Sequence, residues 1–523
     1  MTSSYTDIQI GPPLAEWTSF LQVCSLDHSR LAELRRTART RLVSSAEQFV
    51  LRLNGIADET ELPQNTAPLL TGDPETQPIV MTGHQPVQFH SGLSFKYETT
   101  QQFAADNNAI GVAVIIDTDR GDAGQFSYPE SGGSDGAGGV TPYQAVLAVE
   151  SLANSNNLFG HGKLKSAAAL SALGETVGAN LKALSQKQAA ATAEKILNDF
   201  GQLANAKATA MEANTIMRWC CGIGSRMLEL PLSAIAAFPE SQMLTVDILK
   251  QPGRFAAAYN SALELFREEH GIRNSANPFP NLRKKEDRTE LPFWVVDHNR
   301  GTRQVLEVQV DGNVTRLLAS NNTVDTLADN IPDDALEPMM LQNLQLVPRG
   351  ALITVFLRLL FSDLFVHGTG GGRYDRFTDE FVRTWWNAEP PPFTVASASR
   401  YLFEDQRIEL QRLEKIKSQL RDLQFNPQRH FGQGVFSDGL EERLAAMVQE
   451  KSVVLDEMKS TKANVDSAKD AGQQIQRMTN EIRDAVAEEF EPQLAVLNSL
   501  TPEQHDAINS RTYPWFFFAK QGS

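Results

Sequence analysis

The segment that most constrains this chain runs from Pro78 to Arg120, PIVMTGHQPVQFHSGLSFKYETTQQFAADNNAIGVAVIIDTDR. Ile79–Val80–Met81 is a short apolar run, and Thr82–Gly83–His84–Gln85–Pro86 breaks it. From Gly92 to Ala105 the pattern suits a helix. Gly111 to Ile116 is then a continuous apolar run, as in a parallel strand buried on both faces. Strand, Gly/His turn, helix and strand make a βαβ unit whose polar residues gather where the strands end. Open α/β sheets bind ligands at that carboxyl edge, so the stretch predicts a nucleotide-type site.

Composition narrows the class further. With 41% apolar and 21% charged residues, 523 residues read as globular, with room for two or three domains. A formal net charge of −16 argues against a general nucleic-acid binder but leaves room for a local basic pocket. Cys24, Cys220 and Cys221 cannot form a disulfide framework and read as reduced thiols in a cytoplasmic protein. The opening MTSSYTDIQIGPPLAEW lacks the basic and apolar regions of a signal peptide. The most apolar segment, Ala351 to Val366, carries Arg358 and Asp363 and is too short and too charged to span a bilayer.

Along the chain, His28 to Ile56 predicts one long amphipathic helix, and Glu61 to Thr76 a Pro/Thr-rich connection. After the βαβ unit, Gly121 to Tyr143 reads as an exposed Gly/Ser-rich loop, a candidate flap over the site. Ala145 to about His270 is helical in pattern, an insertion into the α/β core. Leu291–Val296 and Gln304–Val310, joined by a polar turn, predict a β-hairpin. Ala351 to Phe365 reads as an apolar helix that stops at His367–Gly368–Thr369–Gly370–Gly371–Gly372. Thr378 is expected to cap another helix. Beyond Glu389–Pro392, Leu413, Ile416, Leu420 and Leu423 form a heptad seam. A second helix from Leu440 to about Phe490 completes an antiparallel coiled-coil arm. The aromatic tail Tyr513–Phe518 is too apolar for water and is expected to pack on the body or in a dimer contact.

The predicted architecture is therefore α/β, with a Rossmann-like parallel-sheet core, helical insertions and a C-terminal antiparallel coiled-coil arm. Its parts are 1–144, the N-terminal helix and first half of the core; 145–275, the helical insertion; 276–400, the second half with the Gly-rich turn; and 401–523, the arm and tail.

Chemistry is concentrated in two motifs. Gly83–His84 and His90–Ser91–Gly92 place two of nine histidines beside glycines at a strand end, similar to the first signature of class I nucleotidyltransferases. A small residue there lets a nucleotide approach, and an imidazole can donate to phosphate as charge grows. Lys96, one turn into the helix, reaches a phosphate or snorkels. Asp117 and Asp119 share a face if the strand stays extended, and could then bind an amine, a sugar hydroxyl or Mg²⁺. The second motif is the turn with His367, Gly370, Gly371 and Arg373, which can hold an anion at a helix amino terminus. Three consecutive glycines beside His and Arg exceed what a helix cap requires. No zinc-ligand spacing, Gly-x-Ser-x-Gly or P-loop occurs, and no metal site is expected.

These motifs resemble those of the cysteine ligase family of bacillithiol biosynthesis. That family's first signature begins Thr-Gly-Gln-Gln, with a Phe four residues later and a Lys-bearing helix following. Here Thr82–Gly83–His84–Gln85–Pro86–Val87–Gln88–Phe89 precedes Lys96. Its next strand ends Glu-Asp-His-Asp, where this chain has Ile116–Asp117–Thr118–Asp119, and a later Gly-Gly turn is similar to Gly370–Gly371–Gly372. Thr118 in place of His, the earlier Lys and the Gly-Arg-Tyr-Asp turn mark a divergent relative. The resemblance implies a C–N ligase that joins the carboxyl of cysteine to the amino group of a glucosaminyl compound. Activating a free carboxylate calls for a nucleotide such as ATP. His84, His90, Asp117 and Asp119 would carry the chemistry, and Thr82, Gly83, Gln85, Gly92, Lys96, His367, Gly370, Gly371 and Arg373 would bind substrate or nucleotide. Partners are then small molecules, with neither nucleic acid nor membrane, and a homodimer is the candidate assembly. A nucleotidyltransferase acting on another metabolite and a non-catalytic coiled-coil scaffold are the alternatives.

Overall fold

A computed structural model describes residues 5–519, except 25, 27, 28, 89, 133–140, 155–156, 278, 329 and 461–464. The chain divides into two compact units. One comprises residues 1–130, 148–400 and 511–523, the other residues 131–147 and 401–510.

The first unit is built on a mixed, mostly parallel six-stranded sheet. Its strands are β1 (Thr6–Gly11), β2 (Ile79–His84), β3 (Ile110–Ile115), β4 (Leu228–Pro231), β5 (Leu364–His367) and β6 (Phe393–Ser399), in the spatial order β1-β6-β5-β2-β3-β4. β1 pairs antiparallel with β6, and every other pairing is parallel. β2, β3 and β5 are buried along almost their whole length, as their apolar runs require. The helices that flank the site are α1 (Ser29–Ala57), α2 (Ser91–Asp106), α3 (Ala351–Leu360) and α4 (Thr369–Trp386). Among the described residues, no helix is long and apolar enough to cross a membrane.

A buried carboxylate joins α1 to the amino edge of the sheet. Asp363, fully buried before β5, accepts from Arg35 at 2.7 Å, Arg39 at 2.6 Å, and the backbone N–H groups of Cys24 and Ile79 at 2.8 Å each. Four charge-assisted bonds offset the desolvation that isolated burial of this charge would cost. The predicted hairpin is present as Arg288–Asp297 paired with Thr302–Asp311, inside a larger antiparallel sheet completed by Val314–Ala319, Asn322–Ala328 and Leu344–Pro348.

Several boundaries differ from the sequence pattern. The helix expected to run to Phe365 ends at Leu360, and Leu364–His367 is a central strand. Ser362–Asp363 breaks the run, because Asp363 is drawn into the buried ion pair. The 145–275 segment is not all helix: Leu228–Pro231 supplies the edge strand β4, and Ala145–Ser151 pairs with Gln125–Ser131 in a two-stranded ribbon. That ribbon replaces part of the expected 121–143 loop, and Phe126 and Tyr128 on it are buried. Residues 133–140 of the proposed flap, His28 at the start of the long helix and Phe89 of the first motif lie outside the described residues.

Among the described residues, the second unit holds three long helices, α5 (Glu404–Phe425), α6 (Asp438–Ser460) and α7 (Val465–Ser499), where the pattern suggested two. Leu413, Ile416 and Leu423 of α5, Leu440 and Leu444 of α6, and Ile482, Val486 and Phe490 of α7 share one core. Arg412 bonds Gln493 and Lys417 bonds Asn498, so α5 and α7 run in the same direction. The start of α6 meets Glu489 through Ser437, so α6 and α7 form a helical hairpin. The tail belongs to the first unit. Trp515 is buried, and its Nε1 donates to Gln88 Oε1 and Asn214 Oδ1 at 3.2 and 3.1 Å.

Candidate functional site

The sheet reverses its order of construction between β2 and β5, where chain connections depart in opposite directions. Crevices of this kind at the carboxyl edge are the usual ligand sites of open α/β sheets. Here it is a cavity of about 360 Å³, walled by His84, His90, Gly92 and Lys96 on one side and by Gly368, Thr369 and Gly370 on the other. Asp7 and Gln9 of β1, Ser397 and Ser399 of β6, and Arg511 from the tail complete it. Two further cavities continue along the edge. One of about 280 Å³ shares Gly370 and adds Gly83, His367, Gly371 and Asp375; one of about 220 Å³ contains Asp119, Trp294 and Arg349. Phe279, Gly350 and Ile353 line both.

The first motif forms one wall. His84 Nδ1 lies 3.1 Å from the Gln85 carbonyl, which can only accept, so Nδ1 carries the proton and Nε2 the lone pair. Burial, and then the neighbouring Lys96, pull its pKa down to about 3. The expected donor to phosphate is thus a neutral acceptor in the free protein. Lys96 does not snorkel. Its Nζ donates to the Gly83 carbonyl at 2.7 Å, and burial lowers its pKa to about 7.

His90 caps α2, its Nδ1 accepting from Gly92 N at 2.9 Å while its backbone takes a φ of 77°. Arg511 Nε donates toward His90 Nε2 at 2.8 Å. A neutral imidazole offers only one acceptor, so one of these two contacts sets a donor against a donor. Burial and then Arg511 lower the pKa of His90 to about 4, in keeping with these contacts, since protonation would add a second N–H and set both of them donor against donor. An anion between the ring and the guanidinium would satisfy both. Gly92 is sterically required, since a Cβ would stand 2.6 Å from the His90 ring and 2.7 Å from the Ala398 carbonyl.

The two acids do not share a face. β3 ends at Ile115, residues 117–119 turn, and the carboxylates part. Asp117 is buried and accepts from the backbone N of Ser233 at 3.0 Å and from its hydroxyl; burial raises its pKa despite these bonds. Asp119 accepts from Gln85 Nε2 at 2.5 Å and pairs with Arg303, which lies 4.1 Å from the Trp294 ring centroid. Asp119 therefore lines the third cavity, whereas Asp117 braces the segment after β4. Thr82 also stays in the framework, its hydroxyl donating to the Val366 carbonyl across the β2–β5 pair.

The second motif begins α4. Thr369, Gly370 and Gly371 occupy its first turn, where N–H groups lack intrahelical partners and favour anions. His367 Nε2 lies 3.0 Å from Asp375, which also pairs with the fully buried Arg358 at 2.7 Å. Arg373 does not join the site: it is exposed on the outer face of α4, against Tyr374. Asp375, two turns after His367, escaped the sequence reading, although a His with an Asp eight positions on across a strand–helix turn was the available signal. No local pattern marked Arg511, because only the folded tail brings it to His90.

No known protein-family model matches this chain, and no curated protein matches it. What the crevice can do follows from its chemistry. Donors cluster in the first cavity, an oriented histidine stands in the second, and a carboxylate beside an Arg-flanked indole lines the third. Among the described residues, no group of three or more His, Cys, Asp or Glu is placed to hold a metal ion.

Proposed function

We propose that this protein is a small-molecule C–N ligase, similar to the cysteine ligases of bacillithiol biosynthesis, acting from a Rossmann-like core that bears a coiled-coil arm. It would join the carboxyl of an amino acid such as cysteine to the amino group of an amino-sugar conjugate, with a nucleotide such as ATP activating the carboxylate. The observation that carries this reading is the convergence of both motifs on one cavity, His84, His90, Gly92 and Lys96 facing Gly368 and Gly370. A scaffold with a vestigial pocket has no use for a histidine at 77° in φ, a buried lysine and two helix amino termini converging on one crevice. Two linked cavities beyond the first offer space for the acyl and amine partners of a condensation.

The test is incubation of the full-length protein with cysteine and glucosaminyl-malate, with and without ATP, read by mass spectrometry. An amide product that needs the nucleotide, and that Lys96→Ala and Gly92→Ala reduce at least tenfold, is the expected result. Nucleotidyl transfer without an amide would move the protein to the nucleotidyltransferase class. No thermal shift by any nucleotide, acid or amine would remove the enzyme reading.

A further inference from the structure

We propose that His367 is the proton acceptor of this site, oriented by a buried Asp375–Arg358 pair and kept open by the absence of a side chain at Gly371. The identity of the nucleophile rests on the ligase reading; the base itself rests on geometry. His367 ends β5, and its Nε2 lies 3.0 Å from Asp375 Oδ2 on α4. The same oxygen accepts from Arg358 Nη1 at 2.7 Å, while Arg358 Nη2 reaches Asp379 at 2.6 Å. Burial disfavours the Asp375 carboxylate, but Arg358 and then His367 outweigh it and hold its pKa below the ordinary range. An ionised carboxylate only accepts, so Nε2 carries the ring proton and Nδ1 the lone pair.

Nδ1 has no hydrogen-bond partner among the described residues. A Cβ at position 371 would stand 2.6 Å from it. Glycine therefore leaves open the space that the lone pair faces, which is part of the 280 Å³ cavity shared by Gly83, Gly370 and Tyr374. Phe365 and Phe393 pack on the ring at 4.6 and 5.6 Å between centroids and restrict its rotation. The charged and titratable groups around it are Asp375, Arg358, Asp379 and Tyr374. The other two histidines of the crevice are unsuited to the role. His84, with a pKa of about 3, is too weak a base near neutrality, and His90 has both ring nitrogens engaged.

In amide formation the amine nitrogen bonds to the acyl carbon of a carboxyl group activated as an acyl phosphate by a nucleoside triphosphate. As that C–N bond forms, an N–H proton passes to Nδ1 of His367. The C–O bond to phosphate breaks, and phosphate leaves with the electron pair. Asp375 stabilises the resulting imidazolium, which returns its proton to water.

The geometry is tested without turnover by diethylpyrocarbonate labelling of the full-length protein, with each histidine followed by peptide mass spectrometry. The reagent acylates an unprotonated, accessible ring nitrogen. His367 is expected to react in the wild type and at least tenfold more slowly in Gly371→Ala, whose methyl either covers Nδ1 or pushes the ring off Asp375. An unreactive His367 in the wild type, or equal rates in both proteins, overturns the proposal. In the amide assay, His367→Gln is expected to lower kcat by about 10²–10⁴ with little change in KM. Asp375→Asn should lower kcat as well, because the carboxylate that accepts from Nε2 and balances the imidazolium is gone. Unchanged kcat in His367→Gln also overturns the assignment. A reactive, Gly371-gated His367 in a protein that forms no amide keeps the base and discards the ligase reading; an active ligase with an unreactive His367 does the reverse.

Discussion

Replacing Lys96 with Met tests the electrostatics of the crevice most directly. Lys96 is 5% exposed, and burial lowers its pKa from the ordinary 10.5 to about 7. Below pH 7 the folded and unfolded chains both carry the proton, so the full cost of burying the ammonium is present. Between pH 7 and 10.5 the unfolded chain binds one more proton than the folded one, and stability rises with pH by up to about 1.4 kcal/mol per unit. The whole shift corresponds to about 5 kcal/mol. Met preserves the apolar stem but leaves the Gly83 carbonyl without its donor, a loss of about 1–3 kcal/mol. Lys96→Met is therefore expected to be more stable than wild type by about 2–4 kcal/mol at pH 6, with the advantage gone by pH 10. Urea unfolding at fixed ionic strength from pH 6 to 10 measures this, and the difference between variants cancels other titrating groups. Parallel stability curves would refute the buried-amine argument. The same linkage makes anion binding weaken as pH rises through 7 in wild type and lose that dependence in Lys96→Met, which isothermal titration with a nucleotide would read.

Three further outcomes follow from particular contacts. Asp363→Ala leaves the Arg35 and Arg39 guanidinium groups buried without their carboxylate and should cost about 3–5 kcal/mol in urea unfolding. Trp515→Ala should cost about 3–5 kcal/mol and, by loosening the Gln88 segment beside His90, weaken nucleotide binding; unchanged affinity would separate the tail from the site. Arg511→Ala removes the donor that confronts His90, so the protein should keep its melting temperature while anion affinity falls at least tenfold, measured by thermal shift across a phosphate titration.

Hydrophobic pattern alone was enough to place the βαβ unit from Ile79 to Ile115, because runs such as Ile110–Ile115 are stable only where both faces are covered. The sequence also placed Gly83, His84, Gly92 and Lys96 at the edge where such sheets bind ligands, and it marked the glycine turn at 370–372. Local pattern could not reveal that Leu364–His367 is a strand, since a four-residue apolar run looks like the end of the helix before it. That assignment depended on Asp363 meeting two arginines over 320 residues away in the chain. The direction of each carboxylate was likewise a tertiary matter: Asp117 turned to Ser233 and Asp119 to Arg303, partners more than 100 residues distant. Periodicity reports which face of an element is apolar, whereas the protonation, tautomer and partners of His84, His90 and His367 depend on what packs against them. Only the folded chain brings Arg511 to His90 and Asp375 to His367, and those two meetings decide what the crevice can bind and which nitrogen can take a proton.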